Sequence, residues 1–455
     1  MGPDRSALPA QLRQFNFVGL NDLNLLGVPL STDTALTSSL TANIISLKLV
    51  ASRLALLHSQ DALLILRHSF SVPRVQHLLR GIFCGDHPLT AEYDREMRAV
   101  LSVVLNAHLD DPTWCQASLP IKAGGLGIRS ATQLSASAFL SSVHGAAPLV
   151  GRILSGGPPL TQDPLVTQAS LLWSKFTGVE GPPAVGDLSR QKSWDEPVIK
   201  AAFETLLASA PDDYSRARLR AAASPHAGDW LKVMPSASLG LRLTDEGMRI
   251  AVGLRLGVNL CAPFTCVCGS PVDARGAHGL SCPRSAGRQL RHSLLNDEIL
   301  RACSRAGVPA VREPQGLLAG SLLRPDGATV IPWSQGQCTA WDVTCPDTVA
   351  ASHVSKTAAV AGAAAEHAAT QKAVKYQLLT MTHRFVPIAV ETLGSLNADG
   401  LTFLNSLGGR CIAATGDPRE RTFLFQRVSI AVQRGNIVSF TGALHPQLFH
   451  PGPET

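Results

Sequence analysis

The stretch RPDGATVIPWSQGQCTAWDVT, residues 324–344, carries two aspartates among residues that are otherwise almost uncharged. Within it, the segments ATVIPW and CTAWDVT are rich in β-branched and aromatic residues and flank a turn at residues 334–337, which predicts a β-hairpin. Asp326 would begin one strand, and Asp342 would end its neighbour. Because partner strands of a hairpin lie side by side, we expect the two carboxylates to converge at one end of the sheet.

The segments that flank this hairpin predict an α/β unit. Residues 287–307 have the pattern of an amphipathic helix that ends at a glycine, and residues 308–314 predict a short strand. The alanine-rich segment 353–381 predicts a long helix, residues 385–394 a strand, and residues 398–407 another helix. The order of helix, three strands, helix and strand is typical of helices packed around a small mixed sheet.

Two converging carboxylates indicate a cation site, because like charges repel unless a cation lies between them. Mg²⁺ takes oxygen ligands and retains several waters, and a bound Mg²⁺ can activate water and stabilise charge on a phosphodiester. Glu313, on the preceding strand, could add a third oxygen ligand. Taken singly, Asp326 could be a turn cap, Asp342 an edge carboxylate and Glu313 a surface residue. The element order favours the functional interpretation of the three together.

The alanine-rich helix could supply the basic group that such a site needs. It carries Lys356, Lys372 and Lys375, and the last two lie three residues apart and share a helix face. A lysine there could position the attacking water or neutralise charge that develops on the phosphate. The alternative is that these lysines form an ordinary solvated face.

A cluster of cysteines precedes this unit in the pattern C-x-C-x9-H-x3-C, formed by Cys266, Cys268, His278 and Cys282. Thiolates and imidazole are the ligands that Zn²⁺ prefers in tetrahedral structural sites, where four protein ligands leave no open position. So small a segment would take its folding energy from the metal. Cys261 could replace one ligand, and the alternative is a set of buried free cysteines.

Composition restricts the class of protein further. The chain has 455 residues, 45% of them hydrophobic, which is enough for about two or three domains. No uncharged run of about eighteen apolar residues occurs, and the N-terminus lacks an apolar signal core, so we expect neither a membrane span nor a secretory signal. The ten cysteines are scattered, which favours a reducing, intracellular compartment over a disulfide framework.

The first half of the chain is predicted to be mainly helical. Apolar residues recur at helical spacing over residues 34–66, and another helical segment covers residues 194–223. The glycine-rich stretch 119–131 is followed by no Gly-Lys-Ser/Thr, so it predicts a tight structural turn rather than a phosphate cradle. Pro/Gly-rich stretches at 155–164 and 178–187 indicate a boundary in this region.

The basic residues favour a polyanionic partner. Residues 251–455 contain 18 Lys and Arg against 13 Asp and Glu, and the whole chain carries a net charge of +6. The excess is densest on and around the predicted helix 287–307, at Arg284, Arg288, Arg291, Arg301, Arg305 and Arg312, together with His292. Such residues can contact phosphates in a salt-dependent way without reading sequence. The alternative is a solvated helix face.

Taken together, these motifs resemble the C-terminal part of non-LTR retrotransposon polyproteins that carry a restriction-like endonuclease. The resemblance rests on the cysteine knuckle, on Arg324-Pro325-Asp326, on Asp342, and on the lysines that precede Tyr376. It implies a PD-(D/E)xK nuclease fold with a Mg²⁺ site. The lysine of the D/E-x-K element would fall at Thr344. Similar enzymes place that lysine on the following helix, which implies Lys372, with Lys375 and Lys356 as alternates.

The resemblance also implies an organisation for the whole chain. It implies a mixed fold with a mainly α-helical N-terminal half, in four parts: 1–150 a reverse transcriptase thumb-like helical remnant, 151–250 a helical linker region, 251–284 a CCHC zinc knuckle and 285–455 a restriction-like endonuclease domain. None of the tyrosines, Tyr93, Tyr214 and Tyr376, begins the Tyr-x-Asp-Asp signature of a polymerase metal site.

The function implied is that of a metal-dependent endonuclease that nicks DNA in the nucleus. Its expected cofactors are structural Zn²⁺ and catalytic Mg²⁺, and its expected partners are DNA and element RNA, with neither a membrane nor a small-molecule substrate. The alternative is a catalytically inactive, nucleic-acid-binding remnant of the same kind of protein, which Thr344 and the missing polymerase signature favour.

Overall fold

The part of the chain that the structure describes is mainly helical with three small sheets. The computed structural model describes residues 9, 19, 22–32, 34–153, 159–317 and 323–443, and the predictions for the extreme N-terminus and for part of the stretch 155–164 lie outside them. The helices are α1 (Thr34–Leu54), α2 (Ser59–Ile65), α3 (Val72–Gly81), α4 (Pro88–Leu105), α5 (Asp111–Ser118), α6 (Ala131–Ile153), α7 (Pro164–Thr177), α8 (Gln191–Ala208), α9 (Asp213–Ala222), α10 (Asp245–Leu256), α11 (His278–Ser281), α12 (Gly287–Arg305), α13 (Val354–Ala359), α14 (Ala363–Lys375), α15 (Ala398–Thr415) and α16 (Glu420–Ala443). The strands are β1 (Asn24–Leu25), β2 (Val28–Pro29), β3 (Phe264–Thr265), β4 (Pro271–Val272), β5 (Ala310–Arg312), β6 (Gly327–Thr329), β7 (Thr339–Thr344) and β8 (Arg384–Ala389).

The chain forms two units whose limits differ from the expected boundaries at residues 150 and 250. The first unit comprises 1–57, 65–104 and 128–205, and the second comprises 58–64, 105–127 and 206–455. A buried arginine explains why residues 105–127 belong to the second unit. The guanidinium of Arg255, on α10, donates hydrogen bonds to the carbonyls of Gly125 and Ile121, so the loop is fixed to that helix.

The first unit is helical apart from the short β1–β2 hairpin. Its α1 buries Leu36, Leu40, Ile44 and Leu47, which recur at helical spacing along one side. By length and composition alone this helix could cross a membrane, a test that core helices also pass. The predicted single helix over residues 34–66 is instead two helices, α1 and α2.

The glycine-rich stretch 119–131 forms a tight turn, as predicted. Gly124 adopts a φ of +89°, and a Cβ on Gly125 would lie only 2.0 Å from the carbonyl oxygen of Leu119. Because the loop carbonyls receive hydrogen bonds from Arg255, the glycines serve close backbone packing, and no phosphate cradle is formed.

The second unit contains a four-stranded mixed sheet in the order β5-β6-β7-β8. The first three strands pair antiparallel, and β7 pairs parallel with β8. Alternate residues of β7 face opposite sides: Trp341 and Val343 pack in the core formed with α12, α15 and α16, whereas Ala340 packs with Tyr376 just beyond α14. Helices therefore cover both faces, which explains why apolar residues flank Asp342.

The predicted helix 353–381 is interrupted in the structure. Gly362 adopts a φ of +81° between α13 and α14, and a short 3₁₀ helix, Gln377–Met381, follows α14. Residues with side chains rarely adopt such a φ, so the glycine ends one helix and starts the next. The predicted helix 194–223 is likewise two helices, α8 and α9. The helix 287–307 and the strands predicted at 308–314 and 338–344 are confirmed within a few residues, whereas β6 ends at Thr329, before most of the predicted strand ATVIPW, and β8 ends at Ala389 rather than at residue 394.

Candidate nuclease centre and metal cluster

The two aspartates lie together in the sheet. Gly327 pairs with Trp341 in the β6–β7 register, so one further pair sets Asp326 opposite Asp342. Residues opposite each other in an antiparallel pair have Cβ atoms about 5 Å apart. The prediction that Asp342 ends its strand is wrong, because it lies in the interior of β7. Strand β6 has 3 residues and β7 has 6, so Asp342 lies beside the N-terminal end of β6. The Asp342 side chain is buried.

Helix α12 and the sheet backbone hold Asp326 in place. His292 Nε2 lies 2.9 Å from Asp326 Oδ2, and the same oxygen accepts the Val343 N–H at 2.6 Å. The Asp326 carbonyl accepts from the Asn296 side-chain amide at 3.0 Å. The hydrogen bond to Asp326 raises the pKa of His292, and the charge of nearby Asp342 acts in the same direction. These contacts fix one carboxylate oxygen and the backbone carbonyl of Asp326.

One lysine reaches the aspartates, and it comes from a helix rather than from the strand. Lys372 Nζ, on α14, lies 2.5 Å from Asp342 Oδ1, and the Lys372 side chain is 27% exposed. Lys375 is exposed, and its ammonium lies 4.9 Å from the centre of the Tyr376 ring. Lys356 is exposed on α13. Among the three candidate lysines, the geometry therefore favours Lys372.

Tyr376 closes the buried side of the site. Its hydroxyl donates to the Arg324 carbonyl at 2.7 Å, which ties the residue after α14 to the segment that leads into Asp326. Burial raises the pKa of Tyr376, and the adjacent charges of Asp342 and Asp326 raise it further. The phenol therefore stays protonated and donates its hydrogen to the Arg324 carbonyl.

Glu313 and Thr344 lie at the margins of the site. The Glu313 N–H donates to the Asp326 carbonyl at 3.0 Å, and the Glu313 side chain is exposed just beyond β5. Thr344 is two residues beyond Asp342 on the same face of β7. Glu313 is therefore adjacent to Asp326 through its backbone, and Thr344 occupies the strand position where the resemblance would place a lysine.

Protein donors hold one oxygen of each carboxylate. Each aspartate has one oxygen engaged by the protein, Asp326 Oδ2 by His292 and Val343, and Asp342 Oδ1 by Lys372. Mg²⁺ is commonly held by one or two such carboxylates together with water and substrate oxygens. Two aspartates alone would leave most ligand positions of such an ion to solvent or substrate.

The cysteine cluster has the geometry of a tetrahedral metal site. The ligand atoms of Cys266, Cys268, His278 and Cys282 all lie within 4.8 Å of one another. The Cys266 and Cys282 sulfurs are 3.7 Å apart, and Cys268 Sγ lies 3.1 Å from His278 Nε2. Two thiolates bound tetrahedrally at about 2.3 Å would have sulfurs about 3.8 Å apart. The cluster could therefore bind a metal such as Zn²⁺.

The alternative ligand Cys261 lies outside this cluster. Its thiol is buried and lies 3.5 Å from the carbonyl of Asp273, to which it donates, and burial raises its pKa to about 11. The interpretation in which Cys261 replaces one of the four ligands is therefore wrong, because its sulfur is directed at a backbone carbonyl.

A buried arginine connects the metal cluster to the rest of the second unit. Arg291, on α12, is 1% exposed and donates to the Leu280 carbonyl, to Asn436 Oδ1 and to Ser439 Oγ. A Cβ on Gly435 of α16 would lie 1.8 Å from Arg291 Cγ, so the helices approach closely there. The prediction that Arg291 contacts nucleic acid is wrong, because its guanidinium is enclosed by protein.

The remaining arginines of the predicted interface are exposed but differ in their partners. Arg301 pairs with Glu298 at 2.6 Å, and Arg305 pairs with Glu420 at 2.7 Å. Arg284 and Arg288 are exposed at the start of α12, where Arg284 donates to the Val267 carbonyl. Arg312, beyond this helix, pairs with Asp297. The charge available to a phosphate is therefore concentrated near the metal cluster.

Two site residues were not predicted as such. The sequence pattern places His292 only among the basic residues around the helix, and it indicates no role for Asn296. They lie four residues apart on one face of α12, and Asn296 also accepts the Trp341 indole N–H at 2.9 Å. The four-residue spacing on the predicted helix was the signal in the sequence. The contact of Asn296 with the buried Trp341 depends on the fold.

Comparison of the chain with known protein families found no match, and comparison with curated proteins found none either.

Proposed function

We propose that the chain is the endonuclease module of a non-LTR retrotransposon protein and that it nicks DNA with a PD-(D/E)xK-type centre in the second unit. The observation that supports this best is the set of charges around β7. Asp326 and Asp342 are the next residues beyond the Gly327–Trp341 pair, and Lys372 Nζ is 2.5 Å from Asp342 Oδ1. Two carboxylates and an amine at one site are the groups that metal-assisted phosphodiester hydrolysis requires.

In this proposal Asp326 and Asp342 would hold Mg²⁺ and Glu313 could add a third oxygen, and a bound ion would supply Lewis acidity and lower the pKa of water. Lys372 orients the attacking water and offsets charge on the phosphate. His292 keeps Asp326 in its orientation. Water oxygen bonds to phosphorus, the bond from phosphorus to the 3′ oxygen breaks, and a proton passes to that oxygen. The products are a 5′-phosphate and a 3′-hydroxyl.

The cysteine cluster and the exposed arginines complete the proposal. Zn²⁺ bound by Cys266, Cys268, His278 and Cys282 would be structural, because the four protein ligands fill the tetrahedron. Arg284 and Arg288, beside the cluster, would contact phosphates of the DNA and carry most of the salt dependence of binding. Arg301 and Arg305 would contribute only by exchanging their present carboxylate partners for phosphate.

The test is nicking of supercoiled plasmid in Mg²⁺ by the full chain and by three variants. Asp342→Asn and Lys372→Ala should each lower the nicking rate by about 100-fold or more, the scale for loss of one preorganised charge contact. Lys375→Ala is the matched control, since Lys375 is three residues away on the same helix and exposed. Nicking that survives in Asp342→Asn would refute the assignment.

The second candidate is a binding remnant without catalysis, and Thr344 is the observation that favours it. An inactive copy should bind DNA with an affinity that falls with salt and that changes neither with Mg²⁺ nor with Asp326→Ala. Plasmid that is shifted on a gel but never nicked by the parent would support this candidate. Nicking by the parent that is lost in Asp342→Asn would reject it.

A further inference from the structure

The position of Lys372 depends on how α14 lies against the sheet. The strand backbone would fix the position of a lysine on β7 relative to Asp342. Lys372 instead lies on a separate helix, α14. Ala365 and Ala369, on the same face of α14 as Lys372, pack against Ala389 of β8. Methyl groups allow a close approach, yet they interdigitate little and do not stop a helix from sliding along its axis.

A buried glutamate fixes α14 along its axis, which the alanines do not. Glu391 follows β8 by two residues and is fully buried. Its Oε1 accepts the N–H groups of Ala364 at 3.0 Å and of Ala365 at 3.1 Å, at the N-terminus of α14. These N–H groups have no partner within the helix, and the positive end of the helix dipole favours an acceptor there. The contact therefore fixes the helix start to the end of β8.

The path from this contact to the candidate centre is short and rigid. Strand β8 pairs in parallel with β7, and Pro387 is the partner of Asp342. Along α14, Lys372 follows Ala365 by seven residues, which is about two turns or roughly 10 Å and returns to nearly the same face. A shift at the helix start would thus move the backbone of Lys372 relative to Asp342.

We propose that Glu391 is a positioning residue that sets the distance between Lys372 and Asp342 by fixing the N-terminus of α14 to β8. The proposal rests on the nuclease function proposed above, and it concerns the acceptor oxygen of Glu391 rather than its charge. Burial disfavours the charge and raises the pKa of Glu391, while Oε2 is buried without a hydrogen-bond partner. A glutamine amide could replace that oxygen and still accept with Oε1.

The experiment compares single-turnover nicking by Glu391→Leu and Glu391→Gln with that by the parent. Glu391→Leu should lower the rate by about 10- to 100-fold with unchanged DNA affinity, since a misplacement of about 1 Å can cost about 100-fold. Glu391→Gln should nick within a few-fold of the parent. Thr244→Ala is the control, because it removes the side-chain cap of α10 in the same unit and should leave the rate unchanged.

A double variant separates positioning from a general loss of structure. If Glu391 acts through Lys372, then Glu391→Leu combined with Lys372→Ala should nick no more slowly than Lys372→Ala alone. Losses that multiply would overturn the proposal, as would an unchanged rate in a folded Glu391→Leu protein.

A chemical readout keeps the inference testable even if the parent does not nick. Acetylation of lysines by trace acetic anhydride should be slow at Lys372 in the parent, because its amine is paired with Asp342, and faster in Glu391→Leu relative to Lys375. Equal Lys372 labelling in parent and variant would overturn the positioning role. Absent nicking together with increased labelling would reject the nuclease proposal alone.

Discussion

Replacing Arg291 by methionine should destabilise the second unit, although Arg291 looks in sequence like one more basic residue of a nucleic-acid surface. The guanidinium is the donor to the Leu280 carbonyl, to Asn436 and to Ser439 in a buried environment. Methionine fills the space of the side-chain stem, yet it cannot donate. Three acceptors would lose their partner, and neither water nor a neighbouring side chain can replace it without rearrangement.

The magnitude follows from those three acceptors. A buried polar group left unpaired costs about 1–3 kcal/mol, so the low end of that range gives a loss of about 3 kcal/mol in the free energy of unfolding. Arg291→Met also removes a buried charge, and the desolvation cost that is avoided would offset part of any larger loss in the free energy of unfolding. Urea denaturation followed by tryptophan fluorescence is the assay, because Trp341 is buried in the same unit.

Arg288→Met is the matched control, three residues away on α12 and exposed. It should leave the free energy of unfolding within about 0.5 kcal/mol of the parent. It should instead lower DNA affinity and reduce the slope of log affinity against log salt by about one. An Arg291→Met protein that is as stable as the parent and binds DNA more weakly would refute the assignment of Arg291 to the core.

Two further predictions concern the metal cluster and the sheet. The purified chain should contain one equivalent of Zn²⁺ by elemental analysis, with loss of the metal in Cys268→Ser and retention in Cys261→Ser; equal retention in both would contradict the ligand set. Gly327→Ala should lower the free energy of unfolding by about 1–3 kcal/mol, because the new Cβ would lie 2.1 Å from the Trp341 ring. Gly442→Ala, where nothing lies within 4 Å, is the control, and equal thermal melting of the two variants would contradict the packing argument.

Local patterns predicted several elements of the second unit. A short run of β-branched and aromatic residues after a turn marks β7, and the glycine after the amphipathic pattern marks the end of α12. These features depend on neighbours along the chain, which one sequence contains. The approach of Asp326 to Asp342 was predicted from the hairpin, but the tight turn does not set it: Ser334 pairs with Gln337 at the turn, whereas Gly327 pairs with Trp341 in a different register.

Features that depend on distant contacts were not predicted. The preference for Lys372 over Lys375 came from the resemblance and not from the residue pattern, because Ala365 and Ala369 make the face of α14 that meets the sheet almost indistinguishable from the others in composition. Burial of Arg291 depends on the close approach of Gly435, 144 positions later in the chain. Single-sequence periodicity contains no information about such pairings.

In the proposed nuclease, the lysine lies on α14 and not on β7 at position 344. This difference is compatible with catalysis, because the reaction requires an amine close to Asp342, whichever element carries it. Thr344 lies two residues beyond Asp342 on the same face of β7, so a lysine there would approach the same carboxylate. Thr344→Lys introduced into Lys372→Ala should therefore recover at least about 10-fold of the lost nicking rate, a tenfold change corresponding to about 1.4 kcal/mol of barrier. Thr344→Arg in the same background is the control, since the guanidinium stays protonated and its planar fork does not match a single ammonium. No recovery with lysine, in a folded protein that still binds DNA, would mean that Lys372 acts in some way other than through the position of its amine.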